Sequence, residues 1–480
     1  MIDRREILAM AATVSLRPDV IEKDYVLGWL LAGIYNHPAI NKNWVFKGGT
    51  CLKKCYFETY RFSEDLDFTL TDESQIDKDF LRSTFETIAE WVYEQTGIEV
   101  PKDGLSFDIY TNPRGKISCQ GKVSYRGPVS PTSGGYPKIK LDLTADEKLV
   151  LSPALQPVYH PYSDEPEGGI QALCYVYEEV FGEKFRALAE RTRPRDLYDV
   201  VNLFRNSTIK PAAGVLLDIL RQKCEFKGIA VPVLADLESH KESLEGSWAS
   251  MLGHQLPNLP PVESYWNELP AIFEWIEHGH EPVIPTAYPL KPGETVIRER
   301  PGRSLTVRHG AQHLEIVRFA AANRLCVELD YVDDKGRHSS PIIEPYSLRS
   351  TQNGDVILHG IKVENGEHRS YRTDRIRGAR VMNRAFTPRY EVELTSGGPV
   401  VLAPTVAESR KIKPFGTPIR RATRPVRRAG SSSFGPKYVF QCPMCQKKFT
   451  RSKNDSKLNK HKNKNGYPCS GRTGYLTEVK

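Results

Sequence analysis

Asp65 and Asp67 stand in the run Arg61-Phe62-Ser63-Glu64-Asp65-Leu66-Asp67-Phe68, downstream of Lys47-Gly48-Gly49-Thr50. In an extended segment side chains alternate, so the two carboxylates share one face while Leu66 and Phe68 turn into a core. Paired carboxylates are what Mg²⁺ takes: hard oxygen ligands, with other positions left to water and substrate phosphates. The glycines let backbone N–H groups approach a polyphosphate, and Thr50 adds a hydroxyl. Alone, a Gly-Gly pair is usually a turn and an Asp-x-Asp a solvated strand end. Together they point to metal-dependent phosphate chemistry, because two adjacent like charges are costly without a cation.

The segments KGGTCLKKCY (47–56) and RFSEDLDF (61–68) resemble the signature of the AbiEii/AbiGii toxin family of nucleotidyltransferases, in the polymerase-β-like superfamily. The resemblance covers roughly residues 1–290. It implies that Gly48, Gly49, Thr50 and Ser63 hold the triphosphate of an NTP. It also implies that Asp65 and Asp67, with a third carboxylate on a nearby strand, bind Mg²⁺ or Mn²⁺. Lys138–Thr144 alternates in strand fashion and sets Asp142 opposite Leu141 and Leu143, so Asp142 is the candidate third ligand.

Glu183–Arg191 reads as a helix, Thr192-Arg193-Pro194 interrupts it, and a second helix opens at Arg195. Asp196 and Asp199 are three apart on one face. By resemblance to the family's later helical motif, Lys184 meets the triphosphate and Asp196 orients or deprotonates the attacking hydroxyl. The plain alternative is a solvated helix face whose arginines and aspartates form surface ion pairs.

Composition sets the frame for these motifs. A chain of 480 residues has room for about three domains, and 39% hydrophobic with 26% charged residues is ordinary globular material. No signal-peptide pattern opens the chain, and no apolar run approaches a membrane span, so a cytoplasmic protein is expected. Val26–Ile34, behind Glu22-Lys23-Asp24, reads as a buried amphipathic helix. Cys51, Cys55, Cys119, Cys174, Cys224 and Cys326 lack a disulfide framework and read as reduced core thiols. Cys51 and Cys55 lie one helical turn apart, without a nearby His to complete a metal site.

The expected class is multidomain α+β: a nucleotidyltransferase core of mixed sheet and helices (1–203), then a helical region (204–281). Trp248, Trp266, Phe273 and Trp275 are its core anchors, and His278 and His280 mark a helix end. A Pro-rich linker (282–302) leads to a small barrel-like β unit (303–398). Its helix is expected at Leu314–Asn323 and its strands at Leu325–Tyr331, Val356–Lys362, Arg369–Tyr371 and Tyr390–Leu394. This unit resembles a WYL domain, an Sm-like barrel, although Val356-Ile357-Leu358 stands where the namesake triplet belongs. Arg349, Arg372 and Arg375 are either a basic pocket for nucleotide or nucleic acid, or members of solvated ion pairs.

Residues 409–437 carry Lys and Arg among Pro, Gly and Ser without one acidic residue, the composition of a disordered linker. The chain's net charge of +8 gains much of its excess there, which suits attraction to a phosphate backbone. In the last segment (438–480), Cys442, Cys445, His461 and Cys469 offer the tetrahedral donor set of structural Zn²⁺. Phe440, Phe449 and Leu458 supply a minimal core. The segment resembles a Cys-Cys-His-Cys zinc finger.

Two functions follow. One is a toxin-like nucleotidyltransferase acting on RNA, tRNA favoured, with the linker and finger recruiting RNA or DNA. The family resemblance implies a cognate antitoxin and a role in toxin–antitoxin or anti-phage defence. The other is a nucleic-acid-binding regulator on an inactive nucleotidyltransferase fold. A protein hydroxyl as acceptor (AMPylation) stays open beside them.

Overall fold

The structure is a computed structural model that describes residues 1–58, 60–131, 135–207, 209–280, 286–297, 311–394, 438–451, 453–461 and 469–479. The expected basic linker at 409–437 therefore lies outside the described residues, as do parts of the Pro-rich connection. The chain divides into two compact units, Met1–Phe415 and Gly416–Lys480.

The first unit is built on seven strands: β1 (Trp44–Lys47), β2 (Asp65–Leu70), β3 (Leu105–Thr111), β4 (Ile117–Ser124), β5 (Lys138–Thr144), β6 (Ala154–Val158) and β7 (Ile170–Cys174). Their spatial order is β3-β4-β5-β2-β1-β7-β6. The sheet is mixed: β2 and β5 run parallel, as do β1 and β7, while β1 and β2 are antiparallel. Strand alternation divides the core between the two faces. Trp44, Phe46, Leu66 and Phe68 join one cluster with Ile21, Leu30, Phe85 and Trp91. Val45 joins the other with Phe181, Phe185, Leu197 and Val201.

The first face is covered by α1 (Arg4–Val14), α2 (Pro18–Asn36) and α4 (Lys78–Thr96); α3 (Gly48–Cys51) follows β1 directly. In α2 every residue from Val20 to Ile34 except Lys23 is buried, so this helix is enclosed on all sides rather than amphipathic. The opposite face receives α5 (Tyr177–Arg191), α6 (Pro194–Arg205) and α7 (Ala213–Lys227). Thr192, in the left-handed region at φ 41°, ends α5, and Pro194 opens α6 at a position where its missing N–H costs nothing. That tight corner fixes the angle between the two helices carrying Lys184 and Asp196.

The helical region continues as α8 (Leu234–Glu238), α9 (Lys241–Leu252), α10 (Glu263–Trp266) and α11 (Leu269–His278). Trp248, Trp266, Phe273 and Trp275 are all buried there. The same core extends through α12 (Ala311–Ala322) into the β unit, where Leu314, Val317, Leu325 and Leu348 belong to it.

The β unit is a curled antiparallel half-barrel: β8 (Thr295–Val296), β9 (Leu325–Val332), β10 (His338–Ser339), β11 (Ile342–Ser350), β12 (Val356–Lys362), β13 (His368–Arg372) and β14 (Ile376–Ala385). The main order is β10-β9-β11-β12-β13, with β14 on β9 and β8 on β11. Two strands differ from expectation. Tyr390–Leu394 is not a strand, although Val392 and Leu394 are buried and Leu394 N–H donates to Tyr346 O at 3.1 Å. β11 is buried along nearly its whole length, and its bulge between Pro345 and Ser347 interrupts the alternation that would reveal it.

The second unit is a three-stranded sheet of β15 (Tyr438–Gln441), β16 (Lys448–Arg451) and β17 (Tyr475–Val479), with β15 central. Phe440, Leu458, Cys442 and Cys469 form its small core, with Phe449 packed at the edge.

Candidate active site

The parallel pairing of β2 with β5 sets Asp67 beside Asp142 in register, with Asp65 two residues back along the same face. Asp67 and Asp142 form part of the lining of a cleft of about 270 Å³, with Lys47, Gly48, Glu183, Lys184 and Arg191 on its other walls. Burial first, then the charge of Asp142, pushes the Asp67 carboxyl up to about 6; burial and Asp65 also raise Asp142. The strands thus hold adjacent carboxylates, Asp67 half-buried and Asp142 exposed at the cleft, with too little positive charge to settle them. Among the described residues, the aspartate oxygens do not gather as closely as the two cysteine-containing groups described below.

Gly48 has φ +79°, and a Cβ there would strike Asp67 Oδ2, so both backbone conformation and clearance demand glycine. A Cβ at Gly49 would meet the Arg61 guanidinium and Ser63 Oγ, which places Ser63 beside the glycine turn. The turn is thus the start of a helix, as α3 runs into a π-helical turn at Leu52–Tyr56. The Thr50 hydroxyl is already engaged: it donates to the backbone carbonyl of Asp65 and ties the helix to β2. Thr50 is buried, and this bond gives it a tethering role.

Lys184 reaches the same cleft from α5. Its Nζ lies 2.8 Å from Asp199 Oδ2 and 3.7 Å from Asp196 Oδ1. Asp196 is fully buried and accepts two bonds from Arg191, at 2.7 and 2.8 Å. Asp199, equally buried, is gripped by Arg61 through two bonds of 2.7 Å and by the Tyr60 hydroxyl at 2.8 Å. Burial opposes ionisation of Asp199, but Arg61 and Lys184 outweigh it and hold its carboxyl well below the usual range. Asp196 thus stands in contact with both cleft cations, Arg191 and Lys184.

Lys47 was not legible as a site residue beyond its place in the glycine run. It is buried in the cleft wall, 3.3 Å from Glu183 and 3.6 Å from Glu147. Burial lowers its pKa, but the two glutamates more than reverse this and keep it charged. Antiparallel register sets it opposite Asp67, a position recoverable only once β1 and β2 are known to pair.

Two of the candidate arginines of the β unit are held in ion pairs. Arg349 is buried and donates to the Tyr288 and Pro289 carbonyls, at 2.7 and 3.1 Å, with Glu294 at 3.4 Å and Glu393 at 3.5 Å. Arg372 pairs with Asp355 at 2.7 Å and Asp374 at 2.9 Å.

In the second unit, ligand atoms of Cys442, Cys445, His461 and Cys469 all lie within 4.8 Å of one another. The His461 Nδ1 sits 2.8 Å from the Asn459 carbonyl, and its Nε2 is buried without a hydrogen-bond partner. A Cβ at Gly471 would strike Cys442 Sγ, so this glycine keeps the sulfurs close, a requirement the ligand spacing does not reveal. The donor set and the orphaned imidazole nitrogen fit tetrahedral Zn²⁺.

A mixed sheet presenting paired carboxylates to a cleft that also holds Lys47, Lys184 and Arg191 is the setting of a nucleotidyltransferase. The family described as "Nucleotidyl transferase AbiEii toxin, Type IV TA system" matches residues 29–276, just over half of the chain, and the chain belongs to that family. The WYL domain family matches residues 312–381. Among solved structures, MenT4, a nucleotidyltransferase toxin from Mycobacterium tuberculosis, is 18% identical, covering 58% of this chain and 90% of its own, with a TM-score of 0.39. The proteasome accessory factor B/C of Arthrobacter aurescens is 17% identical over 44% of this chain and 32% of its own, with a TM-score of 0.15. No curated protein matches the chain.

Proposed function

We propose that the protein transfers a nucleotidyl group from an NTP to a hydroxyl of RNA, tRNA favoured, using Mg²⁺ or Mn²⁺ held by Asp65, Asp67 and Asp142. The observation that carries this reading is the in-register pair Asp67–Asp142 on the cleft wall, left short of positive charge. A divalent ion there would supply Lewis-acid activation of the α-phosphate and of the attacking hydroxyl. Lys184 and Arg191, fixed by Asp199 and Asp196, present positive charge to the triphosphate and the departing pyrophosphate. Lys47 adds a third cation to the cleft wall. Gly48 and Gly49 let the backbone come close to the phosphates, with Ser63 beside them. Rate then derives from positioning and charge rather than from a covalent nucleophile.

The family's description as a toxin of a type IV toxin–antitoxin system supports a cognate antitoxin and growth arrest as the biological outcome. Zn²⁺ in the Cys442, Cys445, His461, Cys469 site would hold the second unit together, and its lysines would draw nucleic acid. Among the described residues no helix is long and apolar enough to cross a membrane, which agrees with action in the cytoplasm.

The test is incubation of purified protein with Mg²⁺, each α-labelled NTP and total bacterial RNA. Label should appear on small RNA and vanish with Asp67→Ala. Label on protein would redirect the acceptor to a polypeptide hydroxyl, and no label on any acceptor would favour a binding regulator.

A further inference from the structure

Cys51 closes α3, Cys55 follows within the π-helical turn, and Cys174 ends β7. More than a hundred positions of sequence separate the first two from the third, yet the sulfurs of all three lie within 4.8 Å of one another. Register explains the meeting: β7 runs parallel to β1, with Cys174 level with Phe46, and the helix carrying Cys51 and Cys55 springs from the end of β1. Cys51 and Cys174 are buried, while Cys55 is partly exposed and lines a separate cleft of about 420 Å³ with Tyr56, Tyr159 and Gln171.

We propose that Cys51, Cys55 and Cys174 form a second metal site of this chain, a three-thiolate site for Zn²⁺, with its fourth position open toward the Cys55 cleft. A buried thiol by itself needs only a small apolar hole, and Cys119, Cys224 and Cys326 join no such group among the described residues. Three sulfurs converging from two elements is the donor set that soft and borderline ions select. The π-helical turn supports the same reading, since such turns are uncommon and concentrate at functional sites. Binding forms three S–Zn bonds and releases three thiol protons to solvent, so affinity rises with pH. The bound ion would pin the helix that begins at Gly48 to β7. The site is distinct from the carboxylates, and its occupancy is measurable whether or not nucleotidyl transfer occurs.

Full-length protein stripped with chelator and reloaded with Zn²⁺ should hold about two equivalents per chain by elemental mass spectrometry. The Cys442→Ser/Cys445→Ser variant should keep about one, and adding Cys55→Ser should remove it. Cobalt loaded into the Cys442→Ser/Cys445→Ser variant should show thiolate-to-metal charge-transfer absorption that Cys55→Ser abolishes. Cys55 is the least buried of the three, and circular dichroism with a thermal melt verifies that its variant is folded. A folded Cys442→Ser/Cys445→Ser variant that takes up no metal overturns the proposal. So does a folded triple variant that retains its full equivalent.

Discussion

Two sets of aspartates lie around Lys184 and are treated in opposite ways. On β2 and β5, Asp67 and Asp142 stand side by side, and lost hydration first, then the charge of Asp142 at Asp67 and of Asp65 at Asp142, raises both carboxyls. On α6, Asp196 and Asp199 are buried more completely, yet each is clasped by an arginine through two bonds. Burial is therefore not what distinguishes them. The α6 carboxylates bring their counter-charges with them and act as fixed parts of the scaffold. The strand carboxylates are left short of positive charge, which is the condition of a ligand set awaiting a cation.

Asp67→Asn is the sharpest test of that contrast. Label transfer should fall by roughly a thousandfold, because the metal loses a ligand and the α-phosphate its activation. The metal-free melting temperature should hold or rise, since a repulsive charge has gone. A drop in both would place Asp67 with the scaffold. Asp199→Ala should do the reverse: about 3–5 kcal/mol of stability lost in denaturant titrations, because Arg61 and Lys184 are left buried without their partner.

Much of this division was readable from residue order, and the unread part has a physical cause. Alternation alone put Asp65 and Asp67 on one face and Leu66 and Phe68 in the core, because a strand has one period. The break at Thr192–Pro194 was equally local. What stayed hidden were contacts that depend on strand order: Lys47 opposite Asp67, Cys174 beside Cys51 and Cys55, and Arg349 turned onto the Tyr288 carbonyl. Asp196 shows the limit best, since nothing in its spacing tells a free base from one held in two bonds to Arg191.

The two sets should also part company with pH. Asp67, at about 6 when folded, binds its proton more tightly than in the unfolded chain, where a carboxyl titrates near 4. Its contribution to metal-free stability is therefore present at low pH and falls as pH rises from about 4 to 6. Asp199, held below the usual range, contributes stability above about 4 and loses it only as pH falls through its folded value. Melts between pH 4 and 7 should show a decline that Mg²⁺ reverses and Asp67→Asn lessens, leaving the part due to Asp142. Transfer at limiting Mg²⁺ should rise about a hundredfold over the same range, as the ionised share of Asp67 grows, and saturating Mg²⁺ should move that rise to lower pH.

Asp196→Asn carries the smallest expected effect and decides what α6 is for. Asparagine keeps the size and one acceptor for Arg191, so the guanidinium stays near its place while losing part of its anchor. If Asp196 only positions Arg191 and Lys184, transfer should drop by no more than about tenfold, chiefly through weaker NTP binding. A group that removes the proton from the acceptor is worth about 10²–10⁴-fold, and its loss falls on the catalytic rate. Rates at saturating NTP separate the two readings. A hundredfold loss there would require Asp196 to release Arg191 and turn into the cleft when substrate binds, and the contrast between the two aspartate sets would then hold for Asp199 alone.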